Sequence, residues 1–166
     1  MAGPINQDQW RRWIAKHAPK LLLFARQQTP SEADAQDLVQ EAIVECWQKH
    51  GAGAPPLPQL FATIRRRAID LARREGRRVH REQTVVGTET SIWFDPGLEE
   101  AEFAQIMQSA LAGLPPEQRE VITLKIWGEM TFAEIAVALS IPANTAASRY
   151  RYGLAELRRL TKQVLT

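Results

Sequence analysis

The chain has 166 residues, 45% of them apolar, a formal charge of +2 and a single cysteine, Cys46. That length allows one domain or two small ones, and one cysteine excludes an intramolecular disulfide, as in a reducing compartment. No basic-then-apolar leader opens the sequence and the apolar run from Leu21 to Ala25 is too short to cross a bilayer, so a soluble, cytoplasmic protein without membrane insertion is expected.

Trp10, Trp13, Ile14, Leu21, Leu22 and Phe24 recur at helical spacing and predict a helix over about 7–28, which Pro19 either kinks or divides. Thr29-Pro30-Ser31 is a stop and a new start. Leu38, Val39, Ala42, Ile43, Cys46 and Trp47 form the stripe of a second helix over about 31–49. The glycines and prolines from His50 to Pro58 exclude regular structure there. A third helix follows over about 59–78, its apolar face running from Leu60 through Phe61 and Ile64 to Ala72. Residues 79–96 lack helical period and read as a linker. Ile92, Trp93 and Phe94 are costly to leave in water. They either lie on one of the two domains or form a docking contact.

Four more helices are expected, over about 98–112, 116–127, 131–139 and 142–163. Leu114-Pro115-Pro116-Glu117 starts one of them, with proline in the first turn and an acid facing the helix dipole. Thr131-Phe-Ala-Glu134 fits a capping box. The fold class is therefore all-α: two small helical domains, 1–80 and 98–166, joined by a linker over 81–97.

Charge is unevenly distributed. Eight arginines lie between Arg65 and Arg81, and seven acids with no Lys or Arg between Glu82 and Gln118. On a helix Arg66, Arg73, Arg74 and Arg77 project as one band with few acids to neutralise it, which an anionic partner would offset. The simpler alternative is a solvated face. The segment Thr131 to Tyr152 has the layout of a helix-turn-helix entering a major groove. Ile135, Leu139, Ile141 and Ala146 would form its small core, and Ser140 occupies the turn position usually taken by glycine. In the second helix Asn144, Thr145, Ala147, Ser148, Arg149, Arg151 and Tyr152 are short, polar, cationic or aromatic, suited to base edges and phosphates. No Cys/His metal spacing, phosphate loop or nucleophile elbow occurs, so no metal, no cofactor and no catalytic residue is expected.

Three segments resemble the small two-domain bacterial sigma factors of the extracytoplasmic-function (ECF) type. Asp34-Ala-Gln-Asp37-Leu-Val-Gln40-Glu41-Ala-Ile-Val-Glu-Cys-Trp47 is similar to the family's region-2 helix, and Phe61 to Arg74 to the basic helix after it. Leu114 to Val121 and the helix-turn-helix resemble region 4. The resemblance implies core RNA polymerase (clamp and flap), promoter DNA and an anti-sigma factor as partners. It implies that Asp37, Gln40, Glu41 and Trp47 contact the polymerase clamp. The loop 51–58 would hold a flipped base of the −10 element, and Arg65, Arg66, Arg73, Arg74 and Arg77 the melted strand. Asn144, Thr145, Ser148, Arg149, Arg151 and Tyr152 would read the −35 element. The competing readings are a stand-alone dimeric helix-turn-helix regulator and a protein-interaction module.

Overall fold

The computed structural model describes residues 6–51, 53–82, 92–94 and 101–165, without the side chains at 50, 77–82, 164 and 165. Among the described residues there are seven helices and no strand, and the chain divides into two compact units, 1–91 and 92–166.

The first unit packs α1 (Gln7–Gln28), α2 (Glu32–His50) and α3 (Leu57–Glu82) around one core. Asn6 starts α1 through a capping box with Gln9, whose two hydrogen bonds measure 2.8 and 2.9 Å. α1 runs unbroken through Pro19. Proline removes the hydrogen bond to the Ala15 carbonyl, but Ala15 and Pro19 are both exposed, so water can take that acceptor. Ser31 caps α2 by accepting from the Asp34 N–H at 3.2 Å. Leu21, Phe24, Leu60, Phe61 and Ile64 are fully buried, with Phe24 and Phe61 edge to face at 5.3 Å. Arg26, only 8% exposed, donates two hydrogen bonds to Glu32 at 2.8 and 2.9 Å. That fork ties the last turn of α1 to the first turn of α2. Gly51 ends α2 with φ 84°, its N–H donating to the Trp47 carbonyl at 2.9 Å. α3 is longer at both ends than its apolar stripe predicts. Leu57 and Pro58 form its first turn, where proline lacks only a donor the helix does not use, and its backbone stays helical to Glu82.

The second unit holds α4 (Ala101–Ala112), α5 (Pro116–Ile126), α6 (Phe132–Leu139) and α7 (Ala143–Leu165). α5 is its central element: Val121, Ile122, Thr123 and Leu124 are all buried in succession, so it is covered on more than one side. The Arg119 guanidinium donates to the carbonyls of Leu111, Ala112 and Leu114 at 3.0, 3.4 and 3.2 Å, closing the end of α4. Its burial holds its pKa below the usual arginine value, the charge of Glu120 opposing that shift. Trp93 and Phe94 pack on this core. The Trp93 N–H donates to Gln108 at 2.9 Å, Phe94 meets Trp127 at 5.3 Å, and Arg119 lies 5.6 Å over the Trp93 ring. The simpler of their two readings therefore holds for this pair, while Ile92 is 67% exposed.

Candidate nucleic-acid and polymerase interfaces

The helix-turn-helix is built as its residues dictate. Thr131 and Glu134 form the reciprocal capping box, at 3.0 and 3.1 Å. Ser140 ends α6 in the left-handed region with φ 55°, where a non-glycine residue costs about 1 kcal/mol. The Ile141 N–H then donates to the Ala136 carbonyl at 3.1 Å and the Ala146 N–H to that of Pro142 at 3.1 Å, which starts α7. Ala146, Gly153 and Leu157 are buried and Tyr150 half-buried. Their spacing of three and four residues makes one stripe of α7 face the unit. Gly153 lets α7 approach α5 closely on that stripe: a Cβ there would lie 3.1 Å from Ile122 and 3.2 Å from Gln118, so those side chains would have to give by a few tenths of an ångström. Tyr150 meets Phe132 edge to face at 5.6 Å, and Lys125 caps the other aromatic contact with its ammonium 4.6 Å from the Phe132 ring. These contacts fix the rotation of α7 on α5 and α6.

With that stripe spent, Asn144, Thr145, Ser148, Arg149, Arg151 and Tyr152 lie outside it, spread over about 160° of the helix with Arg149 nearest the packed side. Asn144, Arg151 and Tyr152 are exposed, Tyr152 by 62%, and Thr145, Ser148 and Arg149 are half-buried. Arg151 lies 5.3 Å over the Tyr152 ring. No acid occupies the first turn of α7; its one glutamate, Glu156, is engaged by Arg159, which donates to it at 3.0 Å. None of the six belongs to the packed stripe, and Arg149 and Arg151, two residues apart, point to different sides of α7.

The first unit is less simple. Arg66 donates to Glu45, and Arg67 donates to Glu41 at 2.9 Å and to Glu45 at 3.0 Å. Burial pushes the Glu45 carboxyl up, but the hydrogen bonds and charges of Arg66 and Arg67 outweigh it and hold it below its ordinary value. Arg66 therefore leaves the uncompensated band predicted for it. The reason is a neighbouring helix whose acids the spacing within α3 does not reveal. Arg73 and Arg74 are exposed and make no ion pair among the described residues. Arg65 is half-buried and engaged, and the Arg77 side chain lies outside the described residues. On α2, Asp37, Gln40 and Glu41 are exposed, and Asp37 and Glu41 line a groove with Asp34, Arg67, Asp70 and Arg74. Trp47 does not join them. Its ring meets Trp10 at 4.6 Å on the α1 seam, roughly a third of a turn around the helix from Glu41.

Two family models match in order: Sigma-70 region 2 over residues 13–78 and Sigma-70, region 4 over residues 104–157. The ECF RNA polymerase sigma factor SigL of Mycobacterium tuberculosis is 32% identical over 159 residues, covering 90% of this chain and 86% of that protein. The chain belongs to the ECF sigma factors. The RNA polymerase sigma-E factor of Streptomyces avermitilis is 29% identical over 153 residues, covering 90% of this sigma factor and 83% of its relative. Among solved structures, the sigma factor RpoE of Bartonella quintana, crystallised with the anti-sigma factor NepR, shares the fold. Its TM-score is 0.75 at 24% identity, over 93% of this chain and 97% of that one. CnrH, solved with the cytosolic domain of CnrY, gives a TM-score of 0.62 at 26% identity over 95% and 90% of the two chains. The region 2 match runs from within α1 to within α3 and the region 4 match spans the helix-turn-helix, so both candidate surfaces of this sigma factor lie inside matched segments. Arg67, Arg119 and Lys125 escaped the sequence reading as structural cations. Their partners are acids, carbonyls and a ring on other helices, and nothing local marks them.

Proposed function

We propose that this sigma factor, which binds core RNA polymerase and directs promoter recognition, melting and initiation, divides those tasks between its two units as follows. The α7 face from Asn144 to Tyr152 enters the major groove of the −35 element, with Arg149 and Arg151 donating to guanine edges or phosphates. Arg65, Arg73, Arg74 and Arg77 hold the melted −10 strand by its phosphates. The segment 51–58 between the body of α2 and that of α3 holds a flipped base of the −10 element. Asp37, Gln40 and Glu41 contact the polymerase clamp. Arg66 and Arg67 orient that acidic surface rather than touching DNA. The protein contributes no catalysis of its own and acts in the cytoplasm. Among the described residues no helix is long and apolar enough to cross a membrane. An anti-sigma factor restrains it, as NepR is bound to the Bartonella quintana relative.

The observation that carries this division is the polar surface at the start of α7, with no acid in its first turn, left outside the stripe by which Ala146, Tyr150, Gly153 and Leu157 anchor the helix. Purified protein added to core polymerase and genomic fragments tests it. Initiation from discrete promoters, lost on removing 98–166, is expected. Tight duplex binding without polymerase would instead favour a stand-alone regulator, a reading that leaves the region 2 unit without a task.

A further inference from the structure

We propose that Arg158, about two turns beyond the reading segment of α7, binds a DNA phosphate beside the −35 element. This rests on the −35 reading of α7 and adds a contact that the division of tasks above does not use. At about 100° per residue, Asn144, Ser148, Arg151, Ala155, Arg158 and Lys162 fall on one line along α7, about 80° wide. The centre of that line lies about 150° around the helix from the packed stripe of Ala146, Tyr150, Gly153 and Leu157. Burial agrees: five of the six are exposed and Ser148 is half-buried. The helices that pack on α7, which are α4, α5 and α6, take the other side.

Two adjacent arginines are treated differently. Glu156 is the one acid of α7 and lies about 160° around the helix from Arg158. Arg159, off the line, donates to it at 3.0 Å. Arg158, on the line, makes no side-chain hydrogen bond or ion pair among the described residues. The helix thus neutralises the arginine that points aside and leaves the aligned one for an outside anion. Position selects that anion. A rigid helix that turns Asn144, Ser148 and Arg151 to base edges turns Arg158 the same way, about 10 Å further along. Recognition helices read with their N-terminal residues, and the groove winds away from a straight helix within a few turns. At that distance the nearest part of the duplex is the phosphate backbone bordering the groove. Ala155, between the two arginines, is too short to hold that backbone off. An acidic protein surface would meet the charge without requiring alignment with the reading residues.

The test titrates holoenzyme, over a range of salt, against a promoter duplex and the same duplex with its −35 element shuffled. Arg158→Gln is expected to weaken both about fivefold, keep their ratio, and lower the log–log salt slope by about 0.9. Arg158→Lys should keep the wild-type slope, and Arg159→Gln should change it by less than half as much as Arg158→Gln. Methylphosphonates placed singly along the duplex then locate the contact. One at the edge of the −35 element should cost the wild type about fivefold and cost Arg158→Gln nothing further. An unchanged slope in Arg158→Gln overturns the proposal, leaving a solvated face or a protein partner. So does an equal loss in Arg159→Gln, which means bulk charge, or the lack of any phosphate whose neutralisation the variant masks. A wild-type holoenzyme that does not distinguish the two duplexes would instead sink the −35 reading of α7, a separate readout.

Discussion

α3 and α7 are both rich in arginine, yet their neighbours treat those charges in opposite ways. α3 packs beside α2, whose Glu41 and Glu45 take up Arg66 and Arg67, leaving Arg73 and Arg74 further along the helix exposed. α7 packs its stripe of Ala146, Gly153 and Leu157 against apolar partners and keeps its polar face clear of acids over the first turns. Cation density along a sequence is therefore not the same as cationic surface. The packing partner decides which arginines hold the protein together and which remain for an outside anion.

Four substitutions probe that contrast. The largest effect is expected from Arg149→Ala, which should weaken promoter affinity by about 1–3 kcal/mol if the guanidinium reads a base, measured by titrating a duplex with holoenzyme. An unchanged affinity moves Arg149 off the interface. Arg26→Ala removes a purely structural arginine. It should cost about 2 kcal/mol of stability in chemical denaturation, since a buried charge-assisted fork is lost although Glu32 stays 45% exposed. It should leave −35 duplex affinity alone, and a specific loss there would blur the distinction. Ser140→Gly should stabilise the second unit by up to about 1 kcal/mol by relieving the left-handed turn, read as a higher melting temperature. Glu45→Gln should cost least, below about 1 kcal/mol for pairs this exposed. Its pH signature is the useful part. Glu45 has a depressed folded pKa, so its contribution is full above the ordinary carboxylate value of about 4.3 and is lost as pH falls through the depressed one. The variant should lack that acid-side loss, and an identical pH profile would remove Glu45 from the arginine pairing.

What the sequence revealed was whatever is local. The capping box at Thr131, the strained turn at Ser140 and the seven helices among the described residues follow from spacing and short-range chemistry, and so does the stripe of α7 that packs, which leaves the residues proposed to read DNA on the rest of that helix. Relations between helices were not legible. Helical periodicity places Arg66 and Arg73 on one side of α3 but does not say that Glu45 stands across from the first of them. Trp47 reads as part of an α2 surface until Trp10 claims its ring. Pro19 left two outcomes open because the cost of the lost hydrogen bond depends on whether the Ala15 carbonyl meets water. Trp93 and Phe94 were apolar residues without a period, and only a core shows where such residues go.

Permanganate reactivity of promoter thymines tests the division between held and free arginines most directly, comparing wild-type holoenzyme with Arg73→Ala/Arg74→Ala and Arg66→Ala/Arg67→Ala holoenzymes. The account predicts that removing Arg73 and Arg74 abolishes most reactivity in the melted segment while core polymerase and −35 duplex are still bound. Removing Arg66 and Arg67 should weaken polymerase binding or stability instead, with the thymines of the complexes that do form still reactive. Undiminished melting in the first variant, or equal loss of polymerase binding and melting in both, would contradict it.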